Sequence, residues 1–208
     1  MRPARRAPAG DDDRRTWIFA RETADFLPGL IVDKLADVLV LQFLTLAADL
    51  QAETIIRQLQ EQLNPAGIVL RRDSVVREKE GMELHEPEIR GNVPSPLRLE
   101  ENGVILYADP VRGQKTGFFL DQRDNRSRVE NLSKGKSVLN VFAYTGGFSV
   151  YAARGGAREV VSVDVSAPAL EGAVRNMAHN KLTVPHETIA EDAFEVLARM
   201  ASQKRLFD

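Results

Sequence analysis

The sequence predicts a mixed α/β protein, with a small α+β unit followed by a domain built on a sheet of parallel type. Three observations predict it. From about residue 136 the pattern alternates strand and helix three times, which implies parallel strands joined by right-handed crossovers. Upstream, Ala52, Ile55, Ile56, Leu59 and Leu63 fall on one helical face between short, branched apolar runs. Between these regions, EPEIRGNVPSP (86–96) carries three prolines and reads as a linker.

Residues 1–16 combine Pro, Gly, Arg and the run Asp11-Asp12-Asp13, the composition of a solvated, disordered tail rather than a carboxylate metal site. Order is expected from Trp17, and residues 17–95 form the α+β unit. LIVD (30–33) and VLVLQF (38–43) predict paired strands. The helix over 52–63 stops at Asn64-Pro65-Ala66-Gly67. GIVLRRD and SVVREKEG read as two more strands with Arg and Lys on the solvated side.

The second domain is placed at 96–208. LRLEENGVILYAD predicts a hairpin, because Asn102-Gly103 suits a turn with positive φ. SVLNVFA, VVSVDVS and ETIAED are the predicted strands. GGFSVYAARGG, PALEGAVRNMAHNKL and AFEVLARMASQKR are the helices that follow them. A fourth strand is expected to begin at Leu206-Phe207-Asp208, and three strands make an incomplete sheet.

Composition narrows the classes. Among 208 residues, 43% are apolar and 28% charged, enough for a sizeable core with an ordinary soluble surface. The longest apolar run is far short of a bilayer span, and the N-terminus lacks the apolar centre of a secretory signal. A cytoplasmic location is the default, with no membrane partner. The absence of cysteine excludes disulfides and thiolate metal sites. His85, His179 and His186 lack metal-ligand spacing, so no metal is expected. The net charge of −2 means that nucleic-acid binding must rest on a local basic patch. One candidate is Arg112–Lys136, with seven basic residues against three acidic ones. Such a segment suits phosphate contacts, although a solvated amphipathic helix has the same composition.

The chemistry centres on VLNVFAYTGGFSVYAARGGA (138–157), a strand running into a Gly146-Gly147 turn and a small-residue helix. In open α/β sheets ligands bind beyond the carboxyl ends of the strands. Glycines there allow close backbone approach to a ligand, or simply tight helix–sheet packing. The helix start offers free N–H groups for a carboxylate or phosphate. Asp164 ends the second strand, 24 residues beyond Asn140, where a carboxylate can accept both hydroxyls of a ribose. Asp192 ends the third, within reach of an adenine amine. A Walker loop fails because Gln114 and Asp109 stand where Lys115-Thr116 would need glycines. The dinucleotide fingerprint fails at Ala143, Thr145 and Phe148. S-adenosylmethionine, which needs no pyrophosphate cradle, is left as the expected cofactor. A nicotinamide-dependent oxidoreductase is the rival.

LNVFAYTGGFS resembles motif I of class I S-adenosylmethionine-dependent methyltransferases, in particular the 23S rRNA (cytosine-C5) large-subunit methyltransferase family. GQKTGFFLDQRDNR (113–126) and DFLPGLIVD (25–33) resemble that family's other signatures, and Tyr144 matches this narrower group. The resemblance implies a Rossmann-like methyltransferase domain preceded by a central α+β domain. It implies that Asn140, Phe142, Ala143, Tyr144, Thr145 and Gly146 line the methionine portion. Asp164 would hold the ribose with Ser166 nearby, and Asp192 and Ala193 would flank the adenine. Lys115, Asp121, Arg123 and Arg126 would contact RNA or cofactor, ribosomal RNA being the implied partner. Asn176 and Asn180 read as capping or packing the second helix. The family's N-terminal RNA-binding module, Asp-Pro-Pro motif and catalytic cysteine are not found, so the chain is expected to be truncated at both ends, with no catalytic residue assigned. Guanine-N7 methylation within the same family and a non-catalytic RNA- or cofactor-binding fragment are the alternatives. The oligomeric state is left open, a homodimer included.

Overall fold

The computed structural model describes residues 16–21 as a strand and residues 26–208 in full. The expectations for Asp11–Asp13 and the rest of the tail up to Arg15 lie outside the described residues. The chain divides into two compact units. One comprises the residues up to Glu100 together with Ala108–Leu120; the other comprises Glu101–Tyr107 and Asp121–Asp208.

The first unit is a five-stranded sheet in the order β1-β2-β3-β4-β5. Its strands are β1 (Thr16–Arg21), β2 (Leu30–Leu35), β3 (Val38–Phe43), β4 (Gly67–Arg71) and β5 (Glu88–Gly91). As the two apolar runs predict, β2 and β3 pair antiparallel, with Val32 opposite Leu41. β3 and β4 are parallel, joined by α1 (Leu46–Leu50) and α2 (Ala52–Leu63). The α2 stripe buries Ala52, Ile56 and Leu59 against Leu39, Leu41, Phe43, Ile68 and Leu70. Each large aliphatic side chain sunk there contributes about 1.5–3 kcal/mol. The helix ends where the sequence stops it, at Asn64 in the left-handed region with φ 42°.

The opposite face carries a buried polar row, Asp33, Gln42 and Arg71. Thr116 Oγ1 donates to the Asp33 carboxylate at 2.5 Å. Arg71 pairs with both oxygens of Asp73 and donates to the Gly113 carbonyl at 2.9 Å. The first half of the GQKTGFFLDQRDNR signature is thereby tied to the sheet of its own unit.

Two expectations are corrected here. SVVREKEG is not a strand: Val75–Glu80 forms a 3₁₀ helix that closes on Gly81 at φ 71°. Its valines stay exposed, while Arg77 is buried, donating to the Phe43 carbonyl and to Asp49. Guanidinium bonds to two carbonyls and a carboxylate outweigh the valine pattern. Nor is EPEIRGNVPSP a plain linker, because Glu88–Gly91 pairs antiparallel with β4 as an edge strand. Pro87, Pro94 and Pro96 bracket that run instead of interrupting its ladder.

β6 (Leu97–Glu101) and β7 (Val104–Ala108) form the expected hairpin, with Asn102 and Gly103 at φ 49° and 73°. In the second unit α3 (Arg123–Leu132) precedes three parallel strands in the order β10-β9-β8. These are β8 (Ser137–Val141), β9 (Glu159–Val163) and β10 (His186–Ile189). They alternate with α4 (Gly147–Arg154), α5 (Ala167–His179) and α6 (Ala193–Ser202), as the rhythm of the sequence predicts. One sheet face packs Val161 and Val163 on Ala193, Val196 and Met200 of α6. Asp208 is not in a strand, yet its N–H donates to the Ser137 carbonyl at 3.1 Å, and its carboxylate accepts from the Ser137 N–H at 2.8 Å. The chain thus runs back beside β8, on the edge away from β9.

Along the outer edge of β7, the Asn180 amide accepts from the Ile105 N–H at 2.9 Å and donates to the Ile105 carbonyl at 2.6 Å. Asn176 accepts from the Tyr107 N–H at 3.0 Å and donates to the Thr145 carbonyl at 2.8 Å. Both asparagines pack α5 against its neighbours, the role their sequence context implies.

Candidate functional site

The parallel strands of the second unit end together, and the loops beyond β8 and β9 carry most of the residues singled out from the sequence. The chain leaves β8 through Phe142 and Tyr144, two non-glycine residues with φ of 59° and 49°. Such left-handed backbone costs energy and persists only where the surroundings impose it. Here the Ala143 N–H donates to the Val163 carbonyl at 2.9 Å and the Tyr144 N–H donates to an Asp164 oxygen at 2.8 Å. Gly146, at φ 73°, then caps α4.

Asp164 is the knot of the arrangement. One carboxylate oxygen accepts from Tyr144 in the β8 loop, and the other accepts from the Ser166 N–H at 2.9 Å in its own loop. Its own N–H donates to the Ile189 carbonyl at 3.2 Å. Each carboxylate oxygen has two acceptor positions, so one on each is left for a ligand hydroxyl. Ser166 caps α5 through its hydroxyl, which accepts from the Ala169 N–H at 3.3 Å.

After β10, Asp192 caps α6, with one oxygen accepting from Phe194 and Glu195 N–H groups. Ala143 and Ala193 are both buried, Ala193 in the core beneath α6. Thr145 offers the carbonyl that Asn176 holds. Three large apolar side chains stand exposed at these strand ends: Phe142 at 68%, Val165 at 72% and Phe194 at 73%. The Phe142 and Phe194 rings meet edge to face, 6.3 Å apart. Sequence reasoning missed Val165 and Phe194 because an apolar residue beside a strand reads as core. Their signal was position, directly after Asp164 and two residues after Asp192.

Gly146 sharpens the choice between ligand approach and packing. A Cβ there would lie 2.5 Å from the Cβ of Ala173 in α5, so its bare face is filled by the neighbouring helix. Gly147 is less confined, since a Cβ there would lie 3.2 Å from Cδ of the Arg126 side chain.

The basic segment is divided between the units. Lys115, at φ 52°, lies in the first, with its ammonium 4.6 Å from the Phe119 ring centroid. In the second, Arg126 is 3% exposed and forms a bidentate pair with the buried Glu101, both contacts at 2.7 Å. Arg123 reaches the same carboxylate at 3.3 Å, and Tyr151 donates its hydroxyl to it at 2.9 Å. Burial, then the Glu101 charge, push the Tyr151 hydroxyl above the usual phenol range. Arg126, assigned to RNA or cofactor by resemblance, is thus placed in a buried ion-pair cluster. Asp121 is exposed just before α3.

His179 stacks on Tyr107 with ring centroids 4.5 Å apart, a packing role. Among the described residues no cluster of His, Cys, Asp and Glu could hold a metal, and no helix is long and apolar enough to cross a membrane.

Comparison with known proteins bears on this geometry directly. A family model described as S-adenosylmethionine-dependent methyltransferase matches residues 21–188. The chain is 44% identical over 187 residues to the ribosomal RNA large subunit methyltransferase I of Shewanella amazonensis, covering 89% of this chain and 47% of that protein. It therefore spans about half the length of the curated relatives it matches. Among solved structures, a Streptococcus mutans protein described as a SAM-dependent methyltransferase superposes with a TM-score of 0.82. It is 24% identical and covers 96% of this chain and 52% of its own. A methyltransferase solved with SAH gives 0.81 at 24% identity, over 95% of this chain and 51% of its own. These likenesses carry the Rossmann-like fold. With a match that runs from β1 into β10 and takes in both strand-end loops, the chain belongs to the S-adenosylmethionine-dependent methyltransferase family.

Proposed function

We propose that this chain forms the cofactor-binding part of an S-adenosylmethionine-dependent RNA methyltransferase acting on 23S ribosomal RNA. The observation that carries the cofactor reading is Asp164, fixed by two backbone donors while keeping acceptor positions open beside exposed apolar surface. A nucleoside presents the matching groups, two ribose hydroxyls and a flat base. The identity of the substrate rests on the relatives, which are named for ribosomal RNA.

In this reading Asp164 orients the ribose, with Ser166 at the entrance of α5. Val165 and Phe194 give the adenine an apolar surface, and Asp192 and Ala193 bound it. Asn140, Phe142, Ala143, Tyr144, Thr145 and Gly146 surround the methionine portion. When bound, S-adenosylmethionine supplies a sulfonium methyl group that a nucleophilic base atom can accept. The loop residues hold its nucleoside in one orientation, and Phe142 and Phe194 keep water from that side of it. Cytosine C5 is the target that the motif resemblance favours. Carbon there becomes nucleophilic once a thiolate adds to C6. The chain has no cysteine, so none of its residues is assigned that step. The division at residues 17–95 and 96–208 and a cytoplasmic location belong to the same reading, as do contacts of Lys115, Asp121 and Arg123 with RNA.

Calorimetric titration tests it. S-adenosylhomocysteine should bind and NADH should not; binding of NADH alone overturns the reading. Asp164→Asn should weaken S-adenosylhomocysteine by about 1–3 kcal/mol, the loss of charge-assisted hydrogen bonds. Transfer of labelled methyl groups to 23S rRNA tests the substrate.

A further inference from the structure

Four polar side chains form a continuous hydrogen-bonded chain across the parallel sheet. Asn140 Nδ2 donates to Ser149 Oγ at 2.8 Å. Ser149 Oγ lies 2.7 Å from Ser162 Oγ, and Ser162 Oγ lies 2.8 Å from His186 Nε2. The chain passes from β8 through α4 to β9 and β10. Both serines are fully buried, where hydroxyls are costly unless hydrogen-bonded.

The polarity of this chain follows from which nitrogen of His186 carries the ring proton. An amide nitrogen only donates, and each hydroxyl has one proton to give and two positions at which to accept. With Nε2 as acceptor, the Ser162 proton goes to it, the Ser149 proton goes to Ser162, and Asn140 must meet Ser149 through its nitrogen. In that arrangement the neutral ring carries its proton on Nδ1. With a proton on Nε2 instead, Ser162 would accept there and donate to Ser149, and Ser149 could either accept from Asn140 or donate to it, so the amide would have no fixed orientation. Burial lowers the proton affinity of His186, which favours the neutral ring. With its nitrogen committed inward, Asn140 has its amide oxygen to offer a ligand at the carboxyl end of β8.

We propose that His186 is a positioning residue: as terminal acceptor it sets the direction of the Asn140–Ser149–Ser162 chain, so that Asn140 presents oxygen to a cationic donor, the α-ammonium group of the methyl donor. The inference rests on the cofactor reading given above. Its chemistry also accounts for a half-buried histidine whose ring nitrogen meets a buried serine hydroxyl.

The test compares two ligands on the whole chain: S-adenosylhomocysteine, and 5′-methylthioadenosine, which shares the nucleoside but lacks the amino-acid portion. His186→Leu removes the acceptor, whereas His186→Gln keeps one. His186→Leu should weaken S-adenosylhomocysteine about tenfold or more, the scale of one hydrogen bond to a charged group. It should leave 5′-methylthioadenosine unchanged, and His186→Gln should restore the lost affinity. Ser162→Ala should repeat the ligand-selective loss if His186→Leu fails to fold. Nitrogen-15 spectra of the unmodified protein should show His186 protonated on Nδ1. Equal loss for both ligands, no loss, no rescue by glutamine, or a proton on Nε2 each overturns the inference. If the unmodified protein binds neither ligand, the cofactor reading itself fails, an outcome distinct from these.

Discussion

At Gly146 two demands coincide: a φ of 73° and a helix surface that leaves no room for a side chain. Gly146→Ala should therefore cost about 2–4 kcal/mol, combining left-handed backbone with overpacking against Ala173. Gly135 has a similar φ of 72° but open space around it, so Gly135→Ala should cost only about 1 kcal/mol. Urea unfolding of the two variants separates the contributions. The glycine pair was legible in the sequence, but the physical reason for Gly146 was not, since a packing glycine and a ligand glycine look alike until α5 is in place. Asp164 stood out from position alone, at the end of a predicted strand. Its two backbone partners did not, because they depend on the unusual dihedrals of Phe142 and Tyr144. Ser149, Ser162 and His186 were silent for a similar reason: isolated polar residues in apolar segments declare a network only when strand register places them together.

At the scale of elements, periodicity served where one face of an element is apolar and the other wet, as in α2, while a short apolar run marked β9, which is buried on both faces. It failed at Val75–Glu80, where Arg77 is the buried residue and the valines are outside. A long cation with a carbonyl and a carboxylate to bind can invert the usual sorting, and residue type alone does not announce its partners. The same physics governs α3. Its charge count suggested a surface for RNA, yet Arg126 is held by Glu101 beneath the helix. Removing one member of such a pair strands the other charge in the interior. Arg126→Met should accordingly destabilise the protein by about 3–5 kcal/mol, seen as a lowered unfolding midpoint. A variant of unchanged stability would remove Arg126 from that structural role.

For the molecule as a whole, two consequences can be measured. The pKa of His186 lies below its ordinary 6.5 in the folded state because the ring is partly removed from water. Above that value both folded and unfolded chains hold it neutral, and the group has no effect. As the pH falls below about 6.5 the unfolded chain takes up the proton first, so stability should decline there. Urea midpoints at successive pH values should show a decline that is shallower in His186→Gln. The second consequence concerns chain division. Glu101–Tyr107 belongs with Asp121–Asp208, although Ala108–Leu120 intervenes. A fragment starting at Asp121 lacks the partners of Arg126, Tyr151, Asn176 and Asn180. It should melt without a cooperative transition, whereas the whole chain melts with one, as calorimetry would show.

The pairing of Asn180 with Ile105 has a bearing on solubility. A strand margin with open N–H and C=O groups is a template for a second molecule, and proteins that leave one bare tend to aggregate. Here a single amide occupies both groups of Ile105, and Asn176 takes the next N–H along. Two side chains of one helix thus do the work of a neighbouring strand without offering a further edge of their own. Asn180→Leu would reopen that margin, and the expected result is self-association that rises with protein concentration, even where the fold survives.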